Sequence, residues 1–388
     1  MSDIVGYNFP TPIRFGVGAR RQLPAALDAA GVARVLFVTD RGVAALPWFA
    51  PLVESARSPS RAVTVFDGVW GNPVVSQVDA GVEAGRAAEA DAIVAVGGGA
   101  ALDVAKAIAL MLNHPGHLFD YEDGKPDARP VDQPIPYLVG IPTTAGTGSE
   151  VGRSAVVSDD DTHAKKIIFD PLLPPRLVLA DPELTLGLPP HLTAATGMDA
   201  LTHLVEAFLA KGKHPMADGI ALEGLRLVAA HLEDAVRFAG GDDDRDAHLA
   251  ARAGMLDASL MGAVAFQKGL GVTHSCAHAL STVCDLHHGL ANALMLPACM
   301  RFNLETVPER FERLAATVGA EDGPGFVAWI ERLRDAIGLP PSLTAQGVPR
   351  DALERLVEVA LADGCHPNNP RAVGADDLRA LFLEAFDA

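Results

Sequence analysis

The hydrophobic period of this chain changes near residue 182, and that change constrains its fold more than any other feature. Before it, runs rich in β-branched residues read as buried strands: RVLFVT (34–39), RAVTVF (61–66), DAIVAV (91–96), PYLVGI (136–141) and RLVLA (176–180). Amphipathic stretches lie between them, VSQVDAGVEAGRAAEA (75–90) and AALDVAKAIALML (100–112). Strand–helix alternation at this spacing predicts a Rossmann-like α/β domain, a parallel sheet with helices on both faces. After residue 182 the β-rich runs stop. TAATGMDALTHLVEAFLAKG (193–212), MADGIALEGLRLVAAHLEDAV (216–236), DAHLAARAGMLDASLMGAV (246–264) and PERFERLAATVGA (308–320) favour period 3.6 and predict an all-helical domain. The proline-bearing DPELTLGLPPHL (181–192) marks the boundary, so the expected domains are 1–182 and 183–388. A chain of 388 residues exceeds what one core usually serves.

Charge and cysteine usage exclude several function classes. A net charge of -18 argues against nucleic acid or an anionic membrane as a partner. Four cysteines, none in a CxxC pair, make no disulfide framework, and a reducing cytoplasm is the expected compartment. The opening MSDIVGYNFPTPIRFG has neither a basic n-region nor an apolar h-region, and no run of about 18 apolar residues predicts a membrane span.

The helical half carries a metal-ligand pattern. Asp199 and His203 sit four apart in GMDALTHLVEAF, so they share a helix face. His274 and His288 sit fourteen apart in GVTHSCAHALSTVCDLHHGLANA. One carboxylate and three imidazoles suit Fe²⁺ or Zn²⁺, and such an ion polarises an alcohol or carbonyl oxygen. Against this stands the ordinary fate of a histidine on an apolar helix, a hydrogen-bonded place in the core. His287 competes with its neighbour His288 for the ligand role. His278, four residues after His274, falls on the same face. Glu206 shares the helix of Asp199 and His203, and its role stays open.

Cofactor signals gather where the strands of the first half end. IVAVGGGAALDVAKAIA runs a strand into Gly97, Gly98 and Gly99 and then a helix. Glycines there let a phosphate approach the free N–H groups of the helix start, although a tight turn also uses them. GxGxxG is absent after the first strand, so the ordinary dinucleotide fingerprint is not the basis. Asp40 ends the strand at 34–39, where a carboxylate takes ribose hydroxyls and repels a 2′-phosphate, favouring NAD over NADP; the alternative is a helix N-cap. Asn72 in VWGNPVV is a further candidate, against a plain Asn-Pro turn. Thr143, Thr144, Thr147 and Ser149 supply hydroxyls on the loop IPTTAGTGSE. Asp103 reads as support for the first turn of its own helix, and Lys106 as a surface charge.

GGGAALDVAK, IPTTAGTGSEV, GMDALTHLVEAF and HSCAHALSTVCDLHHGLANALMLP resemble the signature segments of the iron-containing (group III) alcohol dehydrogenases. The likeness runs from FPTPIRFG to NNPR at 368–371. It implies a dehydroquinate synthase-like fold, an NAD-binding α/β domain and a helical domain holding a catalytic divalent metal, usually iron and sometimes zinc. The family's ligands fall on Asp199, His203, His274 and His288, since the family places a ligand directly before the glycine. His278 resembles the histidine that lines the substrate pocket and relays protons. Lys165 aligns with a lysine near the nicotinamide ribose, with Lys166 as its rival. The implied activity is hydride transfer between NAD(H) and a primary alcohol or aldehyde, in a homodimer or larger homo-oligomer. A dehydroquinate synthase-like lyase and a zinc polyol (glycerol-type) dehydrogenase are the alternatives on this fold. Ala100, Gly152, Ala279 and Ser281 depart from the family pattern, the last two beside the substrate pocket, so substrate preference does not transfer from any member.

Overall fold

The computed structural model describes Tyr7, Phe9, residues 11–241 and residues 244–387. Its contacts divide into two compact units: one of residues 11–144 and 148–185, and one of Tyr7, Phe9, residues 145–147 and residues 186–387.

The first unit is built on a six-stranded, wholly parallel sheet. Its strands are β1 (Ile13–Phe15), β2 (Arg34–Asp40), β3 (Ala62–Val69), β4 (Ala92–Gly97), β5 (Tyr137–Pro142) and, after an antiparallel hairpin of β6 (Ser154–Ser158) and β7 (Lys165–Phe169), β8 (Leu177–Ala180). The sheet order is β1-β8-β5-β4-β2-β3. Alternate residues of one strand feed opposite cores. Leu36 and Val38 of β2 and Ile93 and Ala95 of β4 pack with α4 (Val75–Ala87) and α5 (Gly99–Asn113), after α1 (Leu23–Ala29), α2 (Arg41–Ala44) and α3 (Phe49–Ser55) in chain order. Val35, Phe37, Val94 and Val96 turn the other way, against α1 and α3. Burial on both faces is why these strands read as unbroken apolar runs rather than as alternating ones.

Two elements were not foreseen. β1 is only three residues long, too short for a period. The hairpin replaces what reads as a polar connection: its strands SAVVS and KKIIF flank a turn, and Ala155, Val157 and Ile168 are buried. Lys165 therefore opens a strand, paired in register with Ser158.

The second unit is helical: α6 (Pro190–Leu209), α7 (Pro215–Arg237), α8 (Arg245–Ala265), α9 (Val272–Cys284), α10 (His288–Leu304), α11 (Pro308–Val318), α12 (Gly323–Ala336), α13 (Leu353–Leu361) and α14 (Ala375–Asp387). Side-chain caps begin several of them: Asp244 accepts from Ala247 N at 3.0 Å and Asp322 from Gly325 N at 2.7 Å. From Thr193 onward α6 is buried almost all round, the mark of a central helix. By length and composition alone, α8 with its short extension to Lys268 is apolar enough to cross a membrane. Its most apolar window is 61% buried within the protein, however, and Arg252 inside it bonds Thr193 Oγ1 and the Leu188 carbonyl, as befits a core helix.

Candidate active site

Three helices of the second unit bring the four sequence candidates together. α6 presents Asp199, His203 and Glu206 along one face. α9 presents His274 and His278 four residues apart. α9 then stops at Cys284, Asp285 takes a left-handed conformation (φ 50°), and α10 starts on His288 itself. That break separates the neighbouring histidines: His287 stays exposed at the helix cap while His288 turns inward. Asp199, His203, His274 and His288 each offer a ligand atom, all within 4.8 Å of one another. The His203 and His274 rings stack at 4.6 Å, and His274 and His288 lie 5.5 Å apart.

The chemistry of these donors fits a divalent metal. Glu206 is fully enclosed and accepts four donors: Gly271 N at 2.8 Å, Thr273 N at 2.6 Å, His274 N at 3.3 Å and His274 Nδ1 at 2.7 Å. Burial alone would raise its carboxyl, but the His274 bond and the backbone donors outweigh it, holding Glu206 below the usual carboxylate range. An ionised carboxylate only accepts, so His274 keeps its proton on Nδ1 and bares the Nε2 lone pair. That Nε2 is buried without a hydrogen-bond partner among the described residues, and so is His203 Nδ1. Burial pushes the His203 imidazole down to about 4, assisted by the neighbouring His274, so it is neutral at pH 7. Two buried imidazole nitrogens left without a partner among the described residues, beside a carboxylate, would be costly without an ion to receive them.

Asn292, one turn after His288, was missed in the sequence. It donates to Asp199 Oδ1 at 2.7 Å and sits 3.2 Å from His288 Nε2, tying those two candidates together. Its i+4 spacing from His288 was the available signal. Asp363 was also missed. It meets His278 Nδ1 at 2.7 Å from a position 85 residues away, where no local pattern could mark it.

In the α/β unit the parallel strands end at one edge of the sheet. β4 finishes at Gly97, whose φ of 152° suits glycine alone, and α5 begins at Gly99 with Gly98 as an uncapped N-cap. A Cβ on Gly98 would press to 3.1 Å from Thr144 Cγ2, and Thr143 N donates to the Gly97 carbonyl at 3.0 Å. Gly98 and Gly99 thus meet Thr143 and Thr144 at the start of a fifteen-residue helix. Asp40 ends β2 next door, 3.3 Å from where a Gly97 Cβ would stand. It also does what its alternative reading required: Oδ1 caps α2 through Val43 N at 2.8 Å, leaving Oδ2 toward the glycine turn. Asn72 follows β3 and precedes Pro73, whose carbonyl accepts Ser158 N at 2.8 Å, while Ser158 pairs with Lys165, so Asn72 and Lys165 flank one short stretch. Thr147 belongs to the other compact unit. There Gly146 packs on Thr196 and its backbone bonds His203.

Asp103 does more than support the first turn of its helix, and Lys106 is not a surface charge. Asp103 takes the Ser149 hydroxyl and Val156 N (3.0 Å), clamping the loop after β5 and the hairpin to α5. Lys106 is 1% exposed, pairs with Asp103 at 3.1 Å and donates to the Ser154 carbonyl. Beside them Glu150 is buried, and desolvation pushes its carboxyl up to about 7 against the opposing pull of Lys106.

Residues 10–182 match the family model of the iron-containing alcohol dehydrogenases, and residues 193–386 match the model of that family's C-terminal region. The chain belongs to the iron-containing alcohol dehydrogenase family, and it is an oxidoreductase of that class. A 4-hydroxybutyrate dehydrogenase of Cupriavidus necator is 40% identical over 97% of this chain and 98% of its own length. A solved 1,3-propanediol oxidoreductase superposes with a TM-score of 0.92 at 35% identity, covering 99% of this chain and 100% of the other. A sulfoacetaldehyde reductase from Bifidobacterium kashiwanohense, solved with NAD⁺, does so at 0.89 and 29% identity, covering 99% of each.

Proposed function

We propose that the protein interconverts a small primary alcohol and its aldehyde with NAD(H), assisted by a divalent iron or zinc ion held by Asp199, His203, His274 and His288. The carrying observation is the convergence of those four side chains, with His203 Nδ1 and His274 Nε2 buried and unpartnered among the described residues. When bound, the ion supplies Lewis acidity toward the substrate oxygen and the nicotinamide accepts or returns the hydride. The protein's own groups do the rest. Glu206 fixes the His274 tautomer, Asn292 holds Asp199 against His288, and His278 takes up the hydroxyl proton at Nε2. In the α/β unit, Gly98, Gly99, Thr143 and Thr144 would receive the pyrophosphate at the start of α5, Asp40 the adenosine ribose, and Asn72, Thr147 and Lys165 further polar parts of the dinucleotide.

Relatives named for 4-hydroxybutyrate and 1,3-propanediol support a short, terminally hydroxylated substrate. We also propose a cytoplasmic homodimer or larger homo-oligomer. Four free cysteines support the compartment, and Phe15 and Val17, exposed beside edge strand β1, support self-association. The test is NAD⁺ and NADP⁺ reduction by the metal-loaded protein over short alcohols, 1,3-diols and ω-hydroxy acids. NAD⁺ reduction by at least one member is the expected result, and none with any alcohol or aldehyde would defeat the proposal.

A further inference from the structure

Asp363 lies just beyond α13, and three donors hold its carboxylate, two of them side chains of α9. His278 Nδ1 reaches Oδ2 at 2.7 Å. Ser275 Oγ donates to Oδ1 at 2.6 Å, and the Cys365 backbone N–H donates to the same oxygen at 2.8 Å. The Ser275 hydroxyl is itself oriented, because it accepts His366 N at 2.9 Å. Burial would raise this carboxyl, yet His278 and the other donors hold it far below the ordinary range, so it is an acceptor only.

We propose that Asp363 is a positioning residue: it fixes His278 as the Nδ1–H tautomer, so that Nε2 carries the lone pair that takes the substrate's hydroxyl proton. The inference rests on the reading of His278 as proton acceptor. In the oxidative direction the carbinol C–H pair leaves as hydride to the cofactor, the O–H proton goes to Nε2, and the Nδ1 proton stays in its bond to Asp363; reduction reverses each transfer. His278 stacks on His288 at 5.2 Å with 21° between the rings, so its face is held by one proposed ligand while its edge is held by Asp363. His278, Asp363 and Cys365 also bring potential ligand atoms within 4.8 Å, which raises the idea of a second metal site. The existing bonds argue against it. The carboxylate's oxygens are already taken, and burial beside Asp363 keeps the Cys365 thiol protonated.

Asp363→Asn separates tautomer control from simple anchoring. The amide has one oxygen and one NH₂. Two donors on the Oδ1 side, one of them a backbone N–H that cannot reverse, claim the oxygen. The NH₂ then faces His278 Nδ1 and forces the proton to Nε2. The expected result is a kcat lower by on the order of 100-fold or more, little change in KM, and unchanged metal content and melting. In the zinc-loaded protein, ¹⁵N spectra of labelled histidine should show His278 as Nδ1–H in the unsubstituted chain and Nε2–H in D363N. A D363N enzyme with ordinary kcat, or an Nε2–H His278 in the unsubstituted chain, would overturn the assignment. His278→Gln tells the two ideas apart. If H278Q is inactive while D363N is fully active, His278 keeps its role and Asp363 loses the one proposed here; if H278Q is fully active, the reading of His278 fails and the proposal falls with it.

Discussion

Gly289 sets the distance between two of the helices that build the metal site, and replacing it with alanine should cost metal binding more than it costs folding. Gly289 follows His288 in the first turn of α10. A Cβ there would overlap the Ala195 carbonyl oxygen of α6, and would lie 2.8 Å from that carbonyl carbon and 3.2 Å from Asp199 Cβ. Non-bonded carbons rest at about 3.5–4.0 Å, so α10 must withdraw from α6 by roughly 0.7–1.2 Å. Its backbone contact cannot give as a flexible side-chain end would. Metal–ligand distances tolerate only about 0.2 Å, so His288 is carried out of range of a site anchored by Asp199 and His203. Overpacking of this kind costs about 1–3 kcal/mol of stability, a few degrees of melting temperature for a protein this size. The metal should suffer by at least about 10–100-fold in affinity, the range seen when groups supporting the ligands are lost. Chelator competition on the metal-loaded protein measures the affinity, and a thermal melt of the metal-free protein measures the packing cost. G289A with ordinary affinity and ordinary melting would refute the claim that the α6–α10 approach sets the site.

Glu206→Gln should weaken metal binding by about 10–100-fold, because a neutral amide cannot accept from Gly271, Thr273 and His274 together; unchanged affinity in chelator competition would count against Glu206 as the group that orients His274. Glu150 has a folded-state pKa raised from 4.5 to about 7, so the folded chain binds this proton more tightly than the unfolded one. Its contribution is favourable below pH 4.5 and declines as the pH rises through 7, so Glu150→Gln should flatten the fall in denaturant midpoint across that window; an unaltered slope would contradict the assignment. Asp40→Asn keeps the N-cap of α2, since asparagine caps as well as aspartate, but removes the charge that repels a 2′-phosphate. Melting should hold while NADP⁺ use rises relative to NAD⁺, and an unchanged cofactor ratio would return Asp40 to a purely capping role.

The legible parts of the fold were those whose burial writes a local pattern. Leu36 and Phe37 face opposite cores, so β2 appears as a solid apolar run, and α7 buries Ala217, Ala221, Leu225, Val228, Leu232 and Ala235 at helical spacing. The β6–β7 hairpin left little trace because Lys165 and Lys166 open its second strand and Ile168 is its one fully buried residue. In the site, His203 and His274 came from spacing, whereas choosing His288 over His287 from residues alone required knowing that α9 ends at Asp285 and α10 starts anew. Asp363 and Glu206 illustrate the general difficulty. A carboxylate that orients a histidine 68 or 85 residues away answers to tertiary packing and leaves no periodic mark. Lys106 failed for the opposite reason, since a lysine on a helix reads as solvated until its buried partners Asp103 and the Ser154 carbonyl are in view.

Activity of this protein depends on the four converging side chains holding a metal that the chemistry needs. The most direct measurement is metal content by mass spectrometry, paired with NAD⁺ reduction on a responsive alcohol, before and after chelation and in His274→Ala. The account predicts about one iron or zinc per chain, activity lost on chelation and restored by the ion, and both metal and activity absent from H274A, since His274 is one of the four ligands. Full NAD⁺ reduction by chelated protein, or a full complement of metal in H274A, would contradict it.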